Sequence, residues 1–319
     1  MDCTLGLDPE FGFVKNGELY SADNVPYADG GNFGKDGHSS TAELRPLPSS
    51  NVAALVQNVE ECLAIGYHTL PEVATADVKW DIFSGRAAYG GHIHIGEMED
   101  LVQGDCLLLQ LMVGIPMRGY TYPDGWTARI KNGSYGRWRD IREQPHGLEW
   151  RTPGGFWGNK QLLTAYLTAC KRMLDVPSPQ RREAQAWAQK EMDTLSSEFH
   201  SGNVEAFWNC PDCTGAGRVQ YWRDLAAALT VEANPFRDAV KELLSVIGTG
   251  EGVHVCLKEH WKLAEVTLEQ VERRAPLSPR VYIQRRKAGL IEPWSTWAKE
   301  KSFKTKHVCT RTDRGEEDR

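Results

Sequence analysis

The chain has 319 residues, with 37 Lys and Arg against 43 Asp and Glu for a net charge of −6 and an isoelectric point near 5.9. At 41% hydrophobic and 25% charged residues it has an ordinary globular composition, with no global positive field to attract nucleic acid or an anionic membrane. The longest apolar run, around Leu107 to Val113, is far below the roughly 18–20 residues of a bilayer span, and the opening "MDCTLGLDPEF" lacks the basic and apolar regions of a signal peptide, so a cytoplasmic protein is expected.

Alternation from Leu5 to Val14 predicts a first strand. The glycine-rich Asp29 to Gly37 reads as a loop, and "TAELRP" as a short strand stopped by Pro46. Val52, Leu55, Val56, Val59, Cys62 and Leu63 recur at helical spacing after the N-cap candidates Ser49 and Ser50, with Gly66 as the expected stop. A strand near Val73 to Val78, a strand carrying "YGGHIHIG", and an apolar helix from about Glu97 to Val113 follow. After a segment rich in Arg and Tyr from Arg118 to Arg142, "GLEWRTP" predicts a strand ending at a Pro-Gly-Gly turn, and Lys160 to Leu174 a helix. Strands interspersed irregularly with helices indicate an α+β fold rather than a doubly wound parallel sheet.

At "DVPSPQRRE" charge and proline replace the glycine and aromatic content. The expected organisation is a catalytic core over residues 1–176, a mostly helical accessory region over 177–305, and a disordered tail over 306–319. Amphipathic helices are expected at Arg181 to Phe199, Tyr221 to Leu229 and Pro235 to Val246.

The eight cysteines are expected to be reduced thiols, with Cys62, Cys106 and Cys170 buried as small hydrophobes in helical patterns. Cys210 and Cys213 in "CPDCTGAGR" have the spacing of a zinc knuckle. A structural zinc site needs four ligands, which His254, Cys256 and His260 could complete. A non-catalytic, zinc-supported binding protein is one reading of that element.

Residue types with chemical potential gather on the predicted strands. His92 and His94 leave one face of their strand because side chains alternate. Asp8 and Glu10 share a face in the same way, as do Glu149 and Arg151. Asp36 and Glu43 lie seven residues apart, with Arg45 immediately beyond. Carboxylates crowded on one face repel each other, an arrangement that a cation between them relieves. Two histidines with Glu149 would also suit a two-histidine, one-carboxylate iron oxygenase, but that chemistry has no use for four further acids.

The ordered set Asp8-x-Glu10, Asp36-x6-Glu43-Leu44-Arg45-Pro46, Gly90-Gly91-His92-Ile93-His94 and Leu148-Glu149-Trp150-Arg151 resembles the carboxylate-amine ligases of the glutamine synthetase and glutamate-cysteine ligase superfamily, and most closely the phage amidoligase type 2 (COOH-NH2 ligase) family. The likeness covers about residues 5 to 175. It implies a curved, mainly antiparallel sheet flanked by helices, and ATP-dependent formation of an amide or isopeptide bond through an acyl phosphate, in a host cytoplasm if phage-encoded. It also implies metal ligands at Asp8, Glu10, Asp36, Glu43, His92 and Glu149 for Mg2+ or Mn2+. His94 would then face phosphate or substrate, with catalytic cations at Arg45 and Arg151, and nucleotide or acyl-phosphate contacts from Arg137, Arg139 and Arg151. Two of the acids are shortened to Asp where the superfamily usually has Glu, which places Asp8 and Asp36 further from any ion they serve. The partners implied are ATP, a carboxylate and an amine: an amino acid, a peptide or a modified macromolecule.

Overall fold

The computed structural model describes residues 3–16, 18–24, 33–36, 38–69, 78–81, 89–114, 140–199 and 237–248, together with Met117, Arg129, Gly136, Arg137 and Trp261. Arg139, Cys210, Cys213, His254, Cys256, His260, the predicted helix at 221–229 and the tail lie outside them. Among the described residues the strands are β1 (Thr4–Lys15), β2 (Glu18–Tyr20), β3 (Phe33–Lys35), β4 (Ala42–Leu44), β5 (Val78–Asp81), β6 (Gly91–Gly96), β7 (Ile141–Gln144) and β8 (Gly147–Trp150). The α-helices are α1 (Val52–Thr69), α2 (Gln103–Leu109), α3 (Lys160–Leu174), α4 (Ser178–Phe199) and α5 (Arg237–Gly248).

The strands form one antiparallel sheet in the order β3-β4-β1-β6-β8-β7, with β2 and β5 paired to the far end of β1. Twelve residues long, β1 is the spine: its first half pairs with β6 and its second with β2, β4 and β5. Helices on the faces of a mainly antiparallel sheet make the α+β class expected from the sequence.

Period-two alternation explains which face is which. Leu5, Leu7, Phe11 and Phe13 of β1, Ile93 and Ile95 of β6, and Leu148 and Trp150 of β8 are buried in one apolar cluster. Register pairs them with one another: Leu5 with Ile95, Leu7 with Ile93, and Ile93 with Trp150. From the helices come Leu55, Val59, Cys62 and Leu63 of α1 and Leu162, Leu163, Tyr166 and Leu167 of α3, all within the same cluster. The intervening positions on these strands, Asp8, Glu10, His92, His94 and Glu149, must therefore occupy the other face.

Several local expectations need correction. Residues Phe33 to Lys35 are a strand paired with β4, not loop, because the edge of β4 is open to them. Helix α1 runs past Gly66 to Thr69, since a buried helical glycine costs only about 1 kcal/mol and tertiary packing overrides it. The apolar helix after β6 starts at Gln103, not Glu97. Glu97 sits at φ 59° and its carboxylate accepts from the Thr4 hydroxyl at 2.7 Å, so the chain turns there before helix can begin. Asp105 then caps α2 by accepting from the Val102 N–H at 3.0 Å. Helix α4 starts at Ser178, three residues before Arg181, with Pro179 in its first turn where a missing N–H costs nothing.

Cys3, Cys62, Cys106 and Cys170 are buried cysteines outside any disulfide; burial pushes the Cys3 thiol up to about 12, so it behaves as an inert hydrophobe. Two contacts tie later sequence to this core. Leu243 of α5 joins the apolar cluster. Trp261, only 1% exposed, donates its indole N–H to the Gly158 carbonyl at 3.1 Å and lies under the Lys160 ammonium.

Candidate functional site

The polar face of the sheet carries a row of charges in register. Glu43 lies opposite Glu10, Asp8 opposite His92, His94 opposite Glu149, and Glu149 opposite Arg142. Neighbouring strands bring opposed Cβ atoms to about 5 Å, so four strands suffice to assemble six acids and imidazoles that the sequence spreads over more than a hundred residues. Ligand-capable atoms of Asp8, His94 and Glu149 lie within 4.8 Å of one another, as do those of Glu10, Asp36 and Glu43. His92 sits between these groups, Nε2 at 3.8 Å from Glu10 and Nδ1 at 3.5 Å from Glu149.

The backbone has been cut away to let this happen. A Cβ on Gly90 would stand 2.5 Å from His92 Nε2 and 2.8 Å from Arg129 Nη1, distances side chains do not tolerate. With no Cβ there, the Gly90 N–H donates to the Glu10 carboxylate at 2.6 Å and its carbonyl accepts from Glu10 N–H at 2.8 Å. The Gly91 N–H donates to the Pro153 carbonyl at 3.0 Å, which joins the loop after β8 to the histidine strand.

Glu149 is fully buried, which would be costly for a charge without partners. One oxygen, Oε2, accepts from Arg142 Nε at 2.7 Å and from Gln144 Nε2 at 2.5 Å. The other, Oε1, faces Arg151 Nε at 3.3 Å and His92 Nδ1 at 3.5 Å and has no hydrogen bond among the described residues. Arg45 pairs with Glu43 through Nε at 2.6 Å, and Arg151 lies 3.7 Å from Asp140. The carbonyl of Arg151 is held by buried Arg129 at 2.8 Å.

Neighbouring acids of the row titrate in opposite directions. Burial pushes Glu10 up to about 8, reinforced by Asp36. Burial also raises Glu43 well above the carboxylate range; Arg45 offsets part of this, while Asp8, Asp36 and Glu10 add to it. Asp8 goes the other way: burial opposes its charge, but the charge and hydrogen bond of His94 hold it at about 2. The Asp8 to His94 bond is 2.6 Å long, and Asp8 raises the His94 imidazole against the effect of burial. Burial, with Arg129 and Arg151 nearby, keeps His92 neutral.

Of the residues expected from sequence, Asp8, Glu10, Asp36, Glu43, Arg45, His92, His94, Glu149 and Arg151 meet here. Arg137 is exposed just before β7, and its carbonyl accepts from the Thr152 hydroxyl. Arg139, Cys210 and Cys213 lie outside the described residues. The sequence reading missed the roles of Arg142, Gln144 and His146. A hairpin of β7 and β8 was the available signal, because "REQPHGLE" folds back with a two-residue turn and thereby sets Arg142 across from Glu149.

This α+β protein thus sets two carboxylate-containing clusters with imidazoles on one face of an antiparallel sheet, oxygen and nitrogen donors that could hold a divalent cation. The chain belongs to the family described as phage phiEco32-like COOH.NH2 ligase-type 2, whose sequence profile matches residues 5–213; by its family name it is a carboxylate-amine ligase. No curated protein matches the chain. No helix among the described residues is long and apolar enough to cross a membrane.

Proposed function

We propose that the protein is an ATP-dependent carboxylate-amine ligase with a glutamine synthetase-like catalytic fold, forming an amide or isopeptide bond through an acyl phosphate at a multi-metal site. The observation that carries this reading is the in-register row from Glu43 to Glu149, in which two acid clusters share one polar face.

The residues fit the implied cations. His92 Nε2 is a buried nitrogen with no hydrogen-bond partner among the described residues, and Glu10, Asp36 and Glu43 crowd together, with burial and neighbouring acids raising Glu10 and Glu43. Hard oxygens with imidazole suit Mg2+ or Mn2+. Glu10, Asp36 and Glu43 would hold one ion, and Asp8 and Glu149 a second together with His94, which the resemblance alone would have turned toward phosphate or substrate; His92, the histidine ligand the resemblance implies, reaches both groups. When bound, the ions supply neutralisation of a triphosphate.

The chain's own part is positioning and charge. Arg45 and Arg151, each tethered to an acid of the row, present guanidiniums to the moving phosphoryl group. The substrate carboxylate attacks the γ-phosphorus, the bond to the bridging oxygen breaks, and ADP leaves. An amine then adds to the acyl phosphate, loses a proton, and expels inorganic phosphate as the amide forms.

Arg137 and Arg139 are proposed as nucleotide contacts, Cys210 and Cys213 as a zinc element, and residues 177–305 as an accessory region that shapes the choice of acid and amine. A phage origin would place the reaction in the host cytoplasm. The test is ADP release with Mg2+ across a panel of amino acids and amines. Glu149→Gln is expected to lower turnover about 100-fold or more with unchanged circular dichroism; turnover equal to wild type removes Glu149 from the site.

A further inference from the structure

His146 lies in the turn between β7 and β8, half-buried, outside the residues assigned above to cations, nucleotide or substrate. Its Nε2 stands 3.0 Å from Nδ1 of His94, and the two rings are 5.0 Å apart at a tilt of 48°. The second nitrogen of His94, Nε2, is bonded to Asp8 at 2.6 Å. Both edges of that imidazole are therefore gripped, by an acid from β1 and by a second imidazole from the hairpin turn.

The turn is shaped for this approach. Gly147 holds φ at 145°, and a Cβ there would fall 2.1 Å from the Ile95 carbonyl. Across the sheet its register partner is Gly96, where a Cβ would come within 2.9 Å of the His146 carbonyl. Side chains at either position would push the hairpin off the end of β6. Two facing glycines let the turn press down until His146 reaches the ring of His94.

We propose that His146 is a positioning residue for His94, fixing its rotamer and the side from which it faces Asp8. The chemistry favours this partner. An ionised Asp8 only accepts hydrogen bonds, so His94 Nε2 is the donor to it, and Nδ1 is left needing a partner. An imidazole at 146 meets Nδ1 as donor or as acceptor, so the contact holds whether His94 is neutral, with Nδ1 accepting, or protonated, with Nδ1 donating. Side chains that orient a ligating histidine through its other nitrogen are worth about 10–100-fold in metal affinity. That consequence, unlike the positioning itself, rests on the ligase reading above.

The experiment labels the histidine rings with 15N and compares the metal-free wild type with His146→Leu and His146→Gln. Gln can place a polar amide near the position of Nε2, whereas Leu cannot. In His146→Leu the His94 Nδ1 resonance is expected to move and broaden as the ring loses its anchor, and in His146→Gln it returns toward wild type. Backbone amide spectra should be preserved away from the hairpin. Mn2+ affinity of the nucleotide-free protein, by calorimetry, should fall about 10–100-fold in His146→Leu and recover in His146→Gln. His94 ring resonances that are identical in wild type and His146→Leu overturn the proposal. Ring resonances that respond as expected in a protein forming no ADP would uphold the positioning role and refute the ligase reading.

Discussion

Glu10 makes the metal-free protein sensitive to pH in an unusual direction. Its carboxyl is pushed from an ordinary 4.5 up to about 8, first by burial and then by Asp36. Between those values the native state keeps a proton that the unfolded chain has released. The proton count therefore favours the unfolded state as pH rises, and stability falls by about 1.4 kcal/mol per pH unit for one such group. From pH 6 to 7.5 Glu10 costs about 2 kcal/mol on this reckoning. Glu43, its neighbour across the register, is raised too, so the wild-type slope belongs to the pair. Glu10→Gln keeps an oxygen to accept from the Gly90 N–H but does not titrate. In urea unfolding after chelation, the advantage of Glu10→Gln over wild type should be about 2 kcal/mol larger at pH 7.5 than at pH 6. Adding Mg2+ should reverse the order at pH 7.5, because only the carboxylate form gains from the ion. Equal pH slopes for the two proteins would show that Glu10 is not buried among acids as described.

Two further outcomes are expected. Gly90→Ala places a Cβ 2.5 Å from His92 Nε2 and 2.8 Å from Arg129 Nη1; it should cost about 1–3 kcal/mol in urea unfolding and weaken Mn2+ binding in calorimetry, whereas wild-type affinity would mean that the strand relaxes freely. Trp261→Ala should cost about 3–5 kcal/mol, measured by thermal or urea unfolding, because a fully packed indole with a hydrogen bond to Gly158 is removed. A loss under 1 kcal/mol would show that residues beyond the family match at 5–213 do not support the core.

What the sequence reveals of this site follows from the period of a strand. Asp8 with Glu10, His92 with His94, and Glu149 with Arg151 are separated by two, so their common face is fixed without any tertiary knowledge. The apolar residues that alternate with them, Leu7, Ile93 and Trp150, locate the core with equal economy. Register and turn geometry are different, because they depend on which strands meet. Arg142 becomes the partner of Glu149, and His146 that of His94, only through the β7–β8 hairpin, and nothing about an isolated Arg or His distinguishes them from the surface cations around them. Glu97 and Val102 show the same limit for helices: the apolar run predicts an early start, and a left-handed residue with a hydrogen bond to Thr4 delays it.

The glycines link the two levels of description. Gly90, Gly96 and Gly147 read in the sequence as punctuation of strands and turns. In the structure each stands where a methyl group would strike His92, the His146 carbonyl or the Ile95 carbonyl. Glycine in a strand forfeits about 0.5–1 kcal/mol relative to alanine. Such losses are offset if close approach is what the positions provide, of Gly90 to the His92 ring and of the hairpin turn, through Gly96 and Gly147, to the end of β6. The charge row makes the same demand, since buried Glu10 and Glu149 oppose folding unless ligands or guanidiniums reach them. Stability has been given up at both levels on one face of the sheet, and that coincidence supports the polar face between β4 and β7 as the proposed site.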